Sequence, residues 1–198
     1  MTDIINPLIR LIIVIDPFTT LMLFLSLTPG VDKKERLAII RKAAVASALL
    51  LMFFGLGGGA LLDYMGITID AMAIAGGVLL AIMGMEMLLH GIQVGSRVSR
   101  IGRDEEISIV PLAIPSIVDP GSITLVMVLA NRMEWYYITA IILVAVGICA
   151  LTLMFAERIY NTIGEEGDKA ITRIMGLLTV AIAVQYILDG LSYWIASL

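Results

Sequence analysis

Two Asp-Pro pairs carry the chemistry of this chain. Asp16-Pro17 interrupts the apolar run Ile4–Leu27, and Asp119-Pro120 interrupts the apolar run Ile107–Ala130. A carboxylate at the centre of a bilayer costs about 2.5–3.5 kcal/mol on insertion scales. Proline removes a backbone hydrogen bond that lipid cannot replace. Asp before Pro is the signature of a helix start, with Asp as N-cap and Pro at the first helical position. Half-helices are therefore expected to begin at Pro17 and Pro120. Each start presents free N–H groups and the positive end of a helix dipole, which attract a carboxylate. Carbonyls freed upstream, near Val14–Ile15 and Ile117–Val118, suit an ammonium or a cation. Pro115 is expected to loosen the fourth run further. Small polar groups follow both breaks: Thr19 and Thr20 after the first, Gly121, Ser122 and Thr124 after the second. The set Asp16, Pro17, Thr19, Thr20, Asp119, Pro120, Gly121 and Ser122 is the candidate site for a small zwitterion, with Asp16 and Asp119 as the coupling carboxylates.

The elements that must hold these residues are transmembrane helices. The 198 residues are 60% hydrophobic and 15% charged, where soluble domains carry about a quarter charged residues. Six stretches reach the roughly 20 helical residues that cross a bilayer: Ile4–Leu27, Leu37–Leu62, Ile69–Leu89, Ile107–Ala130, Tyr136–Phe155 and Ala170–Ile195. Pro29–Asp32, Ser96–Glu106 and Asn161–Lys169 read as polar connections. The first, third and fifth connections and their margins hold 11 of the 13 Lys and Arg. Positive loops stay in the cytoplasm, so both termini are expected outside. Trp135, Tyr136, Tyr137, Tyr193 and Trp194 then fall at the outer interface. The start of the chain, with Asp3 and no small-residue cleavage site, does not read as a signal peptide.

The halves resemble each other. Val118-Asp119-Pro120 echoes Ile15-Asp16-Pro17 at an offset of 103 residues. Gly77-Val78-Leu79-Leu80 echoes Gly176-Leu177-Leu178-Thr179 at an offset of 99, and Glu86, Leu89 and Gly91 fall opposite Gln185, Leu188 and Gly190. Three spans per half is an odd number, so the second half enters the membrane from the other side. The expected fold is an all-α membrane protein with two inverted three-helix repeats, residues 1–95 and 107–198, joined by a cytoplasmic linker at 96–106.

Other residues have plainer readings. Cys149 reads as a small buried hydrophobe. Glu86 and His90 read as interfacial groups, Asp189 as solvated, and Arg10 either pairs with an acid or snorkels. Gly55–Gly59 contains a G-x-x-x-G that lets helices approach closely. One histidine at a membrane edge supplies no base for a hydrolase. No metal-ligand spacing, cofactor motif or nucleic-acid motif is present, and no enzyme is expected.

The motifs together resemble the MarC family. Ile15-Asp16-Pro17-Phe18-Thr19, followed by Phe24-Leu25-Ser26-Leu27-Thr28, is similar to its first-helix signature. Pro111–Pro115 followed by Asp119-Pro120-Gly121-Ser122-Ile123 resembles its fourth-helix motif, and Ala170–Gly190 resembles its last span. The resemblance implies a six-helix inner-membrane protein, a relation to LysE-type exporters, and transport of glycine or alanine driven by the proton gradient. Asp16, Pro17, Pro115, Pro120 and Gly121 carry over onto motif positions. Thr19 and Asp119 stand where the family usually has Gly. The first narrows the room for backbone approach, and the second adds a midplane carboxylate.

The expected activity is secondary transport of small neutral amino acids, with a proton or sodium ion as coupling partner and the bilayer as surroundings. A cation channel or metal-ion permease using Asp16 and Asp119 is the alternative. A non-transporting module for assembly or sensing is the third.

Overall fold

The computed structural model describes residues 4–90 and 112–196. The linker at 96–106, with Arg97, Arg100, Arg103 and its three acids, lies outside the described residues, as do Gly91 and Pro111. The described chain is helical throughout. It runs α1 (Ile5–Ile15), α2 (Pro17–Leu27), α3 (Lys33–Met65), α4 (Ile69–His90), a π-helical segment (Leu112–Ile117), α5 (Pro120–Ala130), α6 (Trp135–Met154) and α7 (Ala156–Ala196).

Among the described residues, five spans are long and apolar enough to cross a membrane: Ile5–Leu27, Lys33–Met65, Ile69–Leu89, Trp135–Met154 and Glu166–Ile195. The expected fourth span, Ile107–Ala130, is represented in the described residues by the π-helical segment and the short α5. Pro115 and Pro120 each lack the N–H that a continuous α-helix needs, which shortens its regular part. Val118 N instead donates to Ala113 O at 2.8 Å, five residues back.

Two boundaries differ from the hydropathy reading. Helix α3 extends beyond the apolar run at both ends. Asp32 caps it through Glu35 N at 2.8 Å, and Gly66 at φ 69 ends it. Asn161–Lys169 holds a kink rather than an extended loop: at Gly164 (φ 70, ψ 177) the backbone leaves helical geometry, so α7 is two helices joined there. Its left-handed φ suits glycine, and the polar residues on either side are helical.

Both faces of the long helices are apolar. On α3, Ala43, Ser47, Leu51 and Gly55 face inward, while Val45, Leu49, Phe53 and Leu56 are exposed. That pattern suits a helix whose outer face meets hydrocarbon rather than water. The main core joins α1, α3, α5 and α6 through Leu11, Ile15, Leu51, Leu125, Ile141 and Cys149. Cys149 is a free, buried thiol. A second cluster, around Phe24, Ile40, Leu112 and Leu153, closes the end where α2, α3 and α6 meet.

Hydrocarbon gives helices no hydrophobic reason to associate, so close packing decides which pair. The largest helix contact is between α4 and α7, which run antiparallel on glycines. A Cβ on Gly77 would lie 2.8 Å from Ala183 O and 3.2 Å from Ile187 N. A Cβ on Gly176 would lie 2.9 Å from Gly84 O and 3.2 Å from Leu88 N. Ala183 and Ile187 stand 99 residues after Gly84 and Leu88, the same offset that separates Gly77 from Gly176. Each helix therefore presents the same approach to the other. The G-x-x-x-G on α3 works differently from its motif: Gly55 and Gly58 meet α5 and α6, while Gly59 has nothing within 4 Å. Gly58 and Gly59 lie on opposite sides of Gly55 around the helix, about 60° one way and about 40° the other, and α5 packs on the Gly58 side.

Candidate functional site

Between α1 and α2 the chain turns at Asp16, with φ 45 and ψ 80. It is the one non-glycine residue with positive φ among the described residues. Left-handed backbone at a non-glycine residue costs on the order of 1–3 kcal/mol, and Asp tolerates it better than most. The turn is held from both sides. Asp16 N donates to Ile12 O at 3.1 Å, ending α1, and Thr20 N donates to Asp16 O at 3.1 Å, beginning α2. The carboxylate accepts from Thr19 N at 3.3 Å and from the Thr19 hydroxyl. Pro17 takes the first helical position.

The second junction uses the same residue types in another geometry. Asp119 is extended (φ −105, ψ 168), and its Oδ1 accepts from Ser122 N at 2.6 Å. Asp119 N donates back to Ser122 Oγ at 3.0 Å, completing a capping box. A hydroxyl from the following helix also reaches a freed carbonyl at each junction. Thr20 Oγ1 donates to Ile15 O at 3.4 Å, and Ser122 Oγ lies 3.3 Å from Ile117 O.

Both carboxylates are closed off: Asp16 is 5% exposed and Asp119 3%. Pro17, Thr20, Gly121 and Ser122 are also buried, Thr19 is half-buried, and Pro120 is exposed. One hydrogen bond joins the two junctions, from Ser116 Oγ to Thr20 Oγ1 at 3.1 Å. Ser116 was missed in the sequence reading. Its signal was a hydroxyl inside an apolar run, directly after Pro115. Leu80 of α4 packs so closely over Gly121 that a side chain there would collide with it.

The remaining polar residues fall elsewhere. Arg10 lies 6.0 Å over the ring of Tyr186 rather than against an acid. Asp189 accepts from Gln185 Nε2 at 2.7 Å, lies 3.9 Å from Arg132, and is partly buried rather than fully solvated. Arg132 stacks over Tyr193 at 4.3 Å, beside the exposed Trp135, Tyr136 and Trp194. Glu86 is exposed, and the side chain of His90 lies outside the described residues. Among the described residues no group of three His, Cys, Asp or Glu is placed to hold a metal ion. At the opposite end from Arg132, Arg36 of α3 pairs with Glu157 of α7 and donates to Thr28 O at 2.7 Å.

The model for MarC family integral membrane proteins matches residues 1–195. The chain belongs to the MarC family. Among its relatives, a UPF0056 membrane protein of Methanocaldococcus jannaschii is 35% identical over 190 residues, covering 90% of each chain. A UPF0056 membrane protein of Pyrococcus abyssi is 32% identical, covering 92% of this chain and 91% of its own. The UPF0056 inner membrane protein YhgN of Escherichia coli is 29% identical over 196 residues, covering 98% of each. No solved structure matches. This MarC family member is thus a multi-pass, all-helical membrane protein whose relatives carry no enzymatic names.

Proposed function

We propose that the chain is a secondary transporter of small neutral amino acids, glycine and alanine first, binding between the Asp16 and Asp119 junctions. The observation that carries the reading is a pair of Asp-Pro helix starts with buried carboxylates, tied together by Ser116 and Thr20. Charges and free backbone groups inside a membrane are costly, and they persist where they bind cargo. In this reading the substrate carboxylate meets N–H groups at the starts of α2 and α5 and the hydroxyls of Thr19, Thr20 and Ser122. Its ammonium meets Asp16 or Asp119 and the carbonyls near Ile15 and Ile117. One of the two carboxylates carries the coupling proton, or accepts a sodium ion, during the cycle.

We also read the fold as an inverted repeat, residues 1–95 against 107–198, with both termini outside. The matching glycine contacts at an offset of 99 residues support a pseudo-two-fold axis between α4 and α7. Alternating access then comes from rocking one repeat against the other.

Counterflow of labelled glycine in proteoliposomes, with and without a pH gradient, tests the reading. Asp16→Asn is the sharpest variant. Asn caps helices as well as Asp and tolerates left-handed backbone, so the junction survives while its charge is lost. Glycine flux is expected to fall to the empty-vesicle level, with the thermal midpoint moved by no more than about 2 °C. Unchanged flux refutes the role of Asp16. Cation uptake without amino acid replaces the carrier by a cation pathway, and no flux of any solute refutes transport.

A further inference from the structure

We propose that the cavity between the starts of α3 and α7 binds an anionic phospholipid through its phosphate. The cavity holds about 330 Å³ and lies where the ends of α2 and α6 meet those helix starts. Its wall has two characters. Lys33, Arg36 and Arg158 supply three positive charges against the single carboxylate of Glu157. Phe24, Ile40 and Leu153 supply a buried apolar floor, and Leu37, Met154 and Phe155 are exposed apolar groups at its edge.

One of the three cations is engaged inside the protein and two are not. Arg36 gives Nη1 to Glu157 and Nη2 to Thr28 O, and its Nε is buried without a hydrogen-bond partner. Lys33 and Arg158 form no ion pair among the described residues. Lys33 and Arg158 are exposed at the cavity, and charge-assisted bonds from such cations to phosphate are among the strong ones. Arg in particular suits phosphate because its fork matches the anion's oxygens.

The combination selects one occupant. Free phosphate uses the cations and leaves the apolar edge in place with no partner. A zwitterionic lipid covers the apolar edge and leaves the excess positive charge uncompensated. An anionic phospholipid uses both, with its phosphate between Lys33, Arg36 and Arg158 and its upper acyl chain along Leu37 and Phe155. The cavity is smaller than a lipid, so the rest of the chain lies against the protein surface. Basic pockets at the ends of membrane helices are suited to such head groups. The inference requires membrane residence only and does not depend on what is transported.

The test uses the full chain in neutral detergent micelles doped with phosphatidylglycerol or phosphatidylcholine. Native mass spectrometry is expected to retain phosphatidylglycerol preferentially, and only that lipid is expected to raise the thermal midpoint. Lys33→Ala with Arg158→Ala removes two charges without touching the Arg36–Glu157 pair. The half-saturating phosphatidylglycerol concentration is expected to rise about thirtyfold. Raising salt to 0.5 M weakens the wild-type effect too, a readout that needs no variant. Equal retention of both lipids overturns the proposal. So does a double variant that binds like wild type, or inorganic phosphate reproducing the whole shift.

Discussion

Adding a methyl group to either Gly77 or Gly176 tests the α4–α7 seam. In Gly176→Ala the new carbon meets Gly84 O and Met87 Cβ, each at 2.9 Å, and Leu88 N at 3.2 Å. Favourable non-bonded contacts lie near 3.5–4.0 Å, so the helices must separate by roughly half an ångström or more. Backbone atoms cannot rotate away as a side-chain end can. Gly77→Ala meets the same arrangement from the other helix, with Ala183 O at 2.8 Å and Ile187 N at 3.2 Å. Overpacking of this kind costs about 1–3 kcal/mol, partly offset by the better helix propensity of Ala. A net loss of about 1 kcal/mol lowers the midpoint of a chain this long by about 2–4 °C. The two variants should lose similar amounts. The double variant should lose less than the sum, because one outward displacement relieves both collisions. Gly57→Ala is the control, since Gly57 has nothing within 4 Å. Thermal unfolding followed by size-exclusion in detergent reads all four proteins. The reasoning fails if Gly176→Ala behaves like Gly57→Ala, or if the two losses simply add.

Ser122→Ala takes away the acceptor of the buried Asp119 N–H and should cost about 1–3 kcal/mol in the same assay. Ser47→Ala deletes a buried hydroxyl that has no partner, and it should leave the midpoint unchanged or raise it; equal losses from the two serines would contradict this. Gly164→Ala has open space for its methyl, so only backbone strain acts. At φ 70 and ψ 177 that strain is about 1–3 kcal/mol, and a cleavage assay should show faster proteolysis near residue 164; wild-type resistance would count against it.

What the sequence determined by itself is local or compositional. Sixty per cent hydrophobic residues impose a membrane environment, and a membrane leaves helices as the way for these apolar runs to satisfy their backbones. Asp before Pro accounts for helix starts at Pro17 and Pro120, because capping involves only neighbours three residues apart. Hydropathy placed a connection at Asn161–Lys169, and the chain does leave helical geometry there, at Gly164, while the polar residues on either side stay helical. Tertiary packing decided the rest. The left-handed turn at Asp16, against the extended Asp119, depends on the helices around each. The bond from Ser116 to Thr20 joins residues 96 apart, and the Arg36–Glu157 pair joins residues 121 apart. No pattern along the chain encodes such pairings, because they depend on how whole helices cross.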